Sequence, residues 1–253
     1  MKIRKIAVPL VAMVVFLALW ELLVWANGWP NYIMASPSDL PAAYSKFWNL
    51  FLVMGWQTLW RTVVGLLIAI AFGVLVGMIM GFSRTMRDAL YPLLVGFNAV
   101  PKATVVPIVA LLFVGAHDFN TILIAFMISF FPIAVSISIG LSTLEPEYRD
   151  ILRSLGANQA TVFWKIALPK TLPEFFGALK VAVTLAFIGT NLMEIVSPHG
   201  RGLGALFDSG KTNSDYPLMF AVLIALAFLG IVLYYVVVAL EKIFAGWAER
   251  RPT

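Results

Sequence analysis

The chain predicts an all-α, polytopic membrane protein of about six transmembrane helices with one ordered cytoplasmic loop. Three observations carry that expectation. Of 253 residues, 61% are hydrophobic and only 12% charged, with a mean hydropathy of +0.91, where a soluble domain holds roughly 25% charge. Several apolar runs reach the roughly 20 residues that a helix needs to cross a hydrocarbon core of about 30 Å. Between Glu147 and Pro173 a polar, helix-forming segment interrupts those runs. Cysteine is absent, which removes disulfides, thiol nucleophiles and Cys-based metal sites. Nothing in composition divides the chain, so a single membrane domain over 1–253 is expected.

The six spans are expected at 6–26, 62–82, 90–114, 120–141, 175–196 and 217–240, with the polar loop at 145–173. The first follows Lys2, Arg4 and Lys5 and at first resembles a secretory leader. Trp25-Ala-Asn-Gly-Trp-Pro30 is a poor small-residue cleavage site, however, and Glu21 interrupts the run's end, so a retained span is expected. Glu21 should reach the outer interface. Ser36-Pro-Ser-Asp39 then offers an N-cap, and Leu40, Ala43, Tyr44, Phe47, Leu50 and Phe51 recur at helical spacing. This reads as an amphipathic helix lying at the outer interface, a packing brace rather than a substrate contact. Trp48, Trp56 and Trp60 suit the headgroup level.

In the second span Gly65, Ala69, Gly73, Gly77 and Gly81 repeat every fourth position. Such a line lets another backbone approach closely, and internal helix packing is the expectation. The competing reading is a face that slides during transport. Pro101 and Pro107 in the third span and Pro132 in the fourth each remove an amide donor and bend the helix. Whether these kinks line a solute path or are inert stays open. Lys102 snorkels if it faces lipid and needs a partner if it faces the interior. In the fifth span Glu194, with Thr190 and Asn191 close by, is either part of a solute path or a brace for the following loop.

Lys and Arg divide unevenly between the loops. Twelve fall on the N-terminal side of the membrane (Lys2, Arg4, Lys5, Arg84, Arg87, Arg149, Arg153, Lys165, Lys170, Lys242, Arg250, Arg251) and three on the other (Lys46, Arg201, Lys211). Arg61, Lys102 and Lys180 lie at span ends or within spans and are not counted. The positive-inside rule then puts both termini and the polar loop in the cytoplasm. It also accounts for the net charge of +5 without nucleic acid.

Within the loop, Tyr148, Ile151, Leu152 and Leu155 form an apolar stripe at i, i+3, i+4 and i+7, opposed by Arg149, Asp150, Arg153 and Ser154. Gly156 stops that helix. Asn158 caps a second, carrying Val162, Phe163 and Ile166, which Pro169 ends, and Pro173 suits the first turn of the fifth span. The product is a stiff elbow where a flexible connector would suffice.

A glycine, nine residues, then Ile-x-Leu-Pro (Gly156, Ile166, Leu168, Pro169) resembles the EAA motif of permease subunits of binding-protein-dependent ABC importers. Asp150-Ile151-Leu152 stands where the motif usually opens Glu-Ala-Ala. The resemblance extends over roughly Trp56 to Arg250. Pro101 with Pro107-Ile-Val-Ala-Leu-Leu-Phe-Val-Gly115, and Gly202-Leu-Gly204 after Glu194, are similar to permeases of sulfonate, taurine and nitrate uptake. The resemblance implies paired permeases, by default a homodimer. It further implies two cytoplasmic ATPase subunits docked on the loop as a coupling helix, and an extracytoplasmic solute-binding protein. Asp150 and Arg153 would then pair with charges on the ATPase, the alternative being a local i,i+3 pair of little energetic weight.

Other chemistries lack their residues. Ala205-Leu-Phe-Asp-Ser-Gly-Lys-Thr212 nearly matches a phosphate-binding loop, but its opening glycine is Ala205 and no buried strand precedes it. The ATPase is therefore expected in another chain. His117 and His199 fall in different outer loops, and no H-E-x-x-H, catalytic aspartate pair or nucleophile elbow occurs. No metal or cofactor is expected. The alternative to an importer permease is an ion-coupled secondary carrier or channel, but no inverted repeat or paired mid-depth charges are evident.

Overall fold

The computed structural model describes residues 2–143, 158, 161, 163–197 and 200–247, with the side chains of 2–6, 9, 10 and 163 set aside. The loop residues Tyr148, Asp150, Ile151, Leu152, Arg153, Leu155 and Gly156 lie outside that set, as does His199. Regular structure among the described residues is helical throughout.

Helix α1 spans Lys2–Asn27. The turn that follows is clamped from α1, because Glu21 accepts hydrogen bonds from the Ser38 amide (3.1 Å) and hydroxyl (2.9 Å). That carboxylate therefore serves the α1–α2 connection. After the short turn Pro37–Asp39, α2 runs Leu40–Phe82. This corrects the expectation of a separate interfacial helix and of a second span starting at 62. The run kinks at its one non-helical residue, Phe47 (φ −114°, ψ 18°), inside the amphipathic stretch, and is continuous helix from there to Phe82. No proline or paired glycine stands between Phe51 and Thr62 to stop it. Leu40, Ala43 and Phe51 are buried against Leu203, Leu206, Leu218, Ala221 and Val222, and Tyr44 donates to the Ala221 carbonyl at 2.7 Å. Trp48 and Trp56 stay exposed.

The glycine line of α2 sits on α5 (His117–Ser142). A Cβ added at Gly65 would lie 2.6 Å from the Ala125 Cβ, and one at Gly73 2.9 Å from Ile133. At Gly77 it would lie 2.7 Å from the Ala134 carbonyl, and at Gly81 2.7 Å from Leu141. Small residues one turn apart on α2 thus meet successive turns of α5, the close backbone approach that replaces hydrophobic drive inside a bilayer.

Helix α3 (Arg84–Ala99) is capped by Ser83, and Arg87 donates back to the Met80 (3.1 Å) and Gly81 (3.2 Å) carbonyls at the end of α2. Then α3 and α4 (Lys102–Leu112) meet at 85°. The expected single third span with bends at Pro101 and Pro107 is therefore two helices broken at Val100-Pro101. Pro101 pushes Val100 out of helical conformation, whereas Pro107 lies within α4. Pro132 likewise lies within an unbroken α5.

Where the described residues of the loop resume, Asn158 Oδ1 accepts from the Thr161 amide at 2.8 Å, as an N-cap does. A π-helical turn, Phe163–Ala167, leads directly into α6, Leu168–Val196. Pro169 consequently opens a helix instead of ending one, where its missing N–H costs nothing, and Pro173 lies inside it. A short α7 (Leu203–Thr212) and a long α8 (Tyr216–Phe244) complete the chain. The core lies where α2, α5, α6 and α8 converge, around residues such as Ala69, Ala134, Ala182, Phe176 and Leu233.

Among the described residues, four helices or helix runs are long and apolar enough to cross a membrane, namely Pro37–Phe82, His117–Ser142, Trp164–Val196 and Tyr216–Phe244. The bent α3–α4 pair makes a fifth if it counts as one span, and α1 contributes a shorter apolar stretch, Val11–Asn27.

Candidate functional site

A charged residue inside a span is tolerated when it is partnered, and the partnering here centres on Arg61 of α2, only 2% exposed. Its Nε and Nη2 donate to Asp118 Oδ1 at 2.7 and 2.6 Å. Its Nη1 meets Glu194 Oε1 at 3.2 Å and also donates to the Arg201 carbonyl. One guanidinium thus ties α2, the start of α5, the far end of α6 and the α6–α7 loop.

Glu194, also 2% exposed, uses its other oxygen to accept from Thr58 Oγ1 (2.8 Å) and the Gly204 amide (3.0 Å). Thr58 Oγ1 in turn accepts from the Leu203 amide at 2.8 Å, satisfying two donors at the start of α7. Below this, the Thr62 and Thr190 hydroxyls lie 2.9 Å apart. The loop is shaped around the carboxylate. Gly202 has φ +118°, and a Cβ there would collide with the Glu194 carboxylate. A Cβ at Gly204 would stand 2.7 Å from the Glu194 Cβ. His117 opens α5, not a loop, and its Nδ1 lies 2.8 Å from Ser197 Oγ.

Glu194 and its loop glycines stand out in the sequence, but Arg61 and Asp118 do not. The pairings reach across 57 and 133 residues, beyond any local periodicity. The one available signal was an arginine directly before an apolar run, which demands a counter-charge. Lys180 was missed in the same way. Its ammonium joins α6 to α8 through both oxygens of Glu241, at 2.7 and 2.9 Å.

The other residues considered for a solute path stand apart. The Lys102 ammonium donates to the Phe97, Asn98 and Val100 carbonyls (2.5, 3.3 and 3.1 Å) and lies 4.7 Å from the Phe97 ring centroid. It caps α3 where the Pro101 break leaves carbonyls without amides, the favoured end for a cation. Asn191, three residues before Glu194, donates to the Phe187 carbonyl at 2.7 Å, and its Oδ1 is buried without a partner among the described residues. No hydrogen bond or ion pair joins Lys102 to Asn191 or Glu194 among the described residues. Val106 and Val109 of α4 do pack on Met193, beside Glu194.

At the opposite end of α6, Ile166, Leu168 and Pro169 run from the π-turn straight into the helix. Its 29 residues make a rod of about 43 Å between the polar loop and the Arg61 knot. Ala205–Thr212, the near-match to a phosphate loop, is part of helix α7, with Leu206 and Gly210 buried.

Comparison with known proteins agrees with this architecture. Residues 69–249 match the family described as binding-protein-dependent transport system inner membrane component. The formylaminopyrimidine transport permease protein ThiX of Halalkalibacterium halodurans is 29% identical over 244 residues, 96% of each chain. The taurine transport system permease protein TauC of Escherichia coli is 26% identical over 96% of this chain and 90% of its own. In structure, the inward-facing MetNI methionine ABC transporter superposes with a TM-score of 0.65 at 17% identity, over 79% of this chain and 98% of that one. That likeness speaks for the fold. The family model covers both the segment that leads into α6 and α6 itself, and the chain belongs to the inner-membrane components of binding-protein-dependent transport systems, the multi-pass permeases and not the nucleotide-hydrolysing subunits.

Proposed function

We propose that this chain is the permease of an ATP-driven importer, working as one of two copies with two cytoplasmic ATPase subunits and an extracytoplasmic solute-binding protein. The observation that carries the reading is mechanical. Gly156, Ile166, Leu168 and Pro169 hold the signature spacing, and the described part of that signature is continuous with α6. A rod gripped at one end by an ATPase and knotted at the other to α2, α5 and α7 transmits a tilt across the bilayer instead of absorbing it. Closure of the ATPases would move the segment 145–173 and rock α6, the rigid-body logic of alternating access.

On this reading α1, α2, the broken α3–α4 pair, α5, α6 and α8 are six spans, and both termini and the loop 145–173 are cytoplasmic. Tyr148, Asp150, Ile151, Leu152, Arg153 and Leu155 form the gripped surface. Non-helical backbone at membrane depth belongs against protein or a water-filled cavity. The Val100-Pro101 break, whose residues are exposed in the single chain, therefore faces the path or the second copy. The solute is small and polar, a sulfonate, nitrate or a small heterocycle. ThiX and TauC are named for solutes of that size.

The chain contains no cysteine, so single cysteines report sidedness cleanly. Ser154→Cys should label from the cytoplasmic face and be protected when the ATPase subunits are bound. Lys211→Cys should label only from the other face. Same-side labelling, or labelling of Ser154→Cys indifferent to the ATPase, would contradict the proposal.

A further inference from the structure

The Arg61 knot has an outer surface. Two carboxylates share one guanidinium, and while Glu194 is sealed, the Asp118 side chain is 56% exposed. Two of the three Arg61 nitrogens, Nε and Nη2, converge on Asp118 Oδ1, and Oδ2 has no partner among the described residues. The Arg201 side chain is exposed and also unpartnered among them; only its carbonyl is used, by Arg61. These two charges, with His117 and Phe119, line one cavity of about 260 Å³ at the α4–α5 turn.

Two features separate this patch from an ordinary solvated turn. The Asp118 carboxylate is held in place by a buried arginine, so an incoming ion need not order it, and preorganisation of that kind lowers the cost of binding. A free carboxylate oxygen and a free guanidinium share one small cavity. A protein surface presenting a complementary ion pair fits that pattern, and complementary charge fixes register and speeds encounter.

We infer that the cavity formed by Asp118 and Arg201 at the α4–α5 turn is a docking socket for the extracytoplasmic binding protein, taking a basic side chain on Asp118 Oδ2 and an acidic one on Arg201. The inference rests on the permease reading, which puts this end of α6, opposite the ATPase-gripped loop, on the side from which the binding protein arrives.

The test uses the full complex in lipid nanodiscs, titrated with binding protein while ATP hydrolysis is followed. Arg201→Gln keeps the carbonyl that Arg61 uses and removes only the free charge. Its half-saturating concentration of binding protein should rise by about tenfold at low salt, and by much less at 0.5 M salt, where the Debye length falls to about 4 Å. Asp118→Asn should shift it in the same direction, with the same loss of effect in salt, which a purely structural role of Asp118 would not produce. Equal half-saturation for wild type and both variants at every salt concentration would overturn the socket while leaving the permease reading intact. A wild-type complex that ignores binding protein altogether would overturn the permease reading itself. Unchanged half-saturation together with lost dependence on anionic lipid in Arg201→Gln would make this a lipid contact and also end the proposal.

Discussion

Arg61→Leu should cost about 3–5 kcal/mol of stability, because it strands a buried carboxylate without its counter-charge. Glu194 is 2% exposed, and the substitution leaves it only Thr58 and the Gly204 amide. The Arg201 carbonyl loses its donor and Asp118 its anchor at the same moment. Thermal unfolding in detergent, followed by tryptophan fluorescence, is the measurement. The variant should unfold far below wild type or fail to accumulate folded. The double variant Arg61→Leu with Glu194→Leu should recover part of the loss, because removing both members of a buried pair is cheaper than removing one. Asp118→Asn should cost least, since that carboxylate is half in solvent. Wild-type stability in Arg61→Leu would mean that the knot does not hold these helices together.

Gly77→Leu is expected to pry α2 from α5. Even the first carbon of the new side chain would stand 2.7 Å from both the Ala134 carbonyl and the Ile137 Cβ. The obstacle is partly backbone, which cannot rotate away, so the usual overpacking cost of about 1–3 kcal/mol is a lower bound. Gly96→Leu in α3 is the matched control, because a Cβ there meets nothing within 4 Å. The expected result is a marked fall in folded yield and unfolding temperature for Gly77→Leu, with Gly96→Leu near wild type. Equal tolerance at both positions would refute the seam.

The contrast between these two sites explains what the sequence made legible. Gly65, Gly73, Gly77 and Gly81 declare themselves because the helix repeat is local: four residues return to the same face. The break at Val100-Pro101 is legible for the same reason, since proline acts on its immediate neighbours, but its 85° angle, which lays α4 against Ile124, Ile128 and Met193, is visible only in the folded chain. The apolar run of the second span and the amphipathic run before it read as separate elements because their periodicities differ. The backbone kinks earlier, at Phe47 inside the amphipathic run, and then continues unbroken to Phe82. Arg61, Asp118 and Lys180 escape because their meaning lies in partners 57 to 133 residues away. A lone arginine at a span edge looks like one that snorkels to the headgroups; only the folded chain shows it buried.

The same knot gives the transport proposal its far anchor. α6 holds the described signature residues Leu168 and Pro169 at one end and Glu194 near the other. On that proposal, work delivered to the loop would reach α2 and α5 through the Glu194–Arg61–Asp118 contacts and through the direct packing of α6 on α5, where a Cβ at Gly189 would stand 3.1 Å from the Ala125 backbone.

The most direct measurement is uptake of the binding protein's own solute into vesicles holding the complex, with ATP and binding protein each supplied or withheld. Uptake only when both are present, and none from the permease without its ATPase subunits, is the predicted result. Accumulation by the lone chain, driven by an ion gradient and indifferent to ATP, would contradict it.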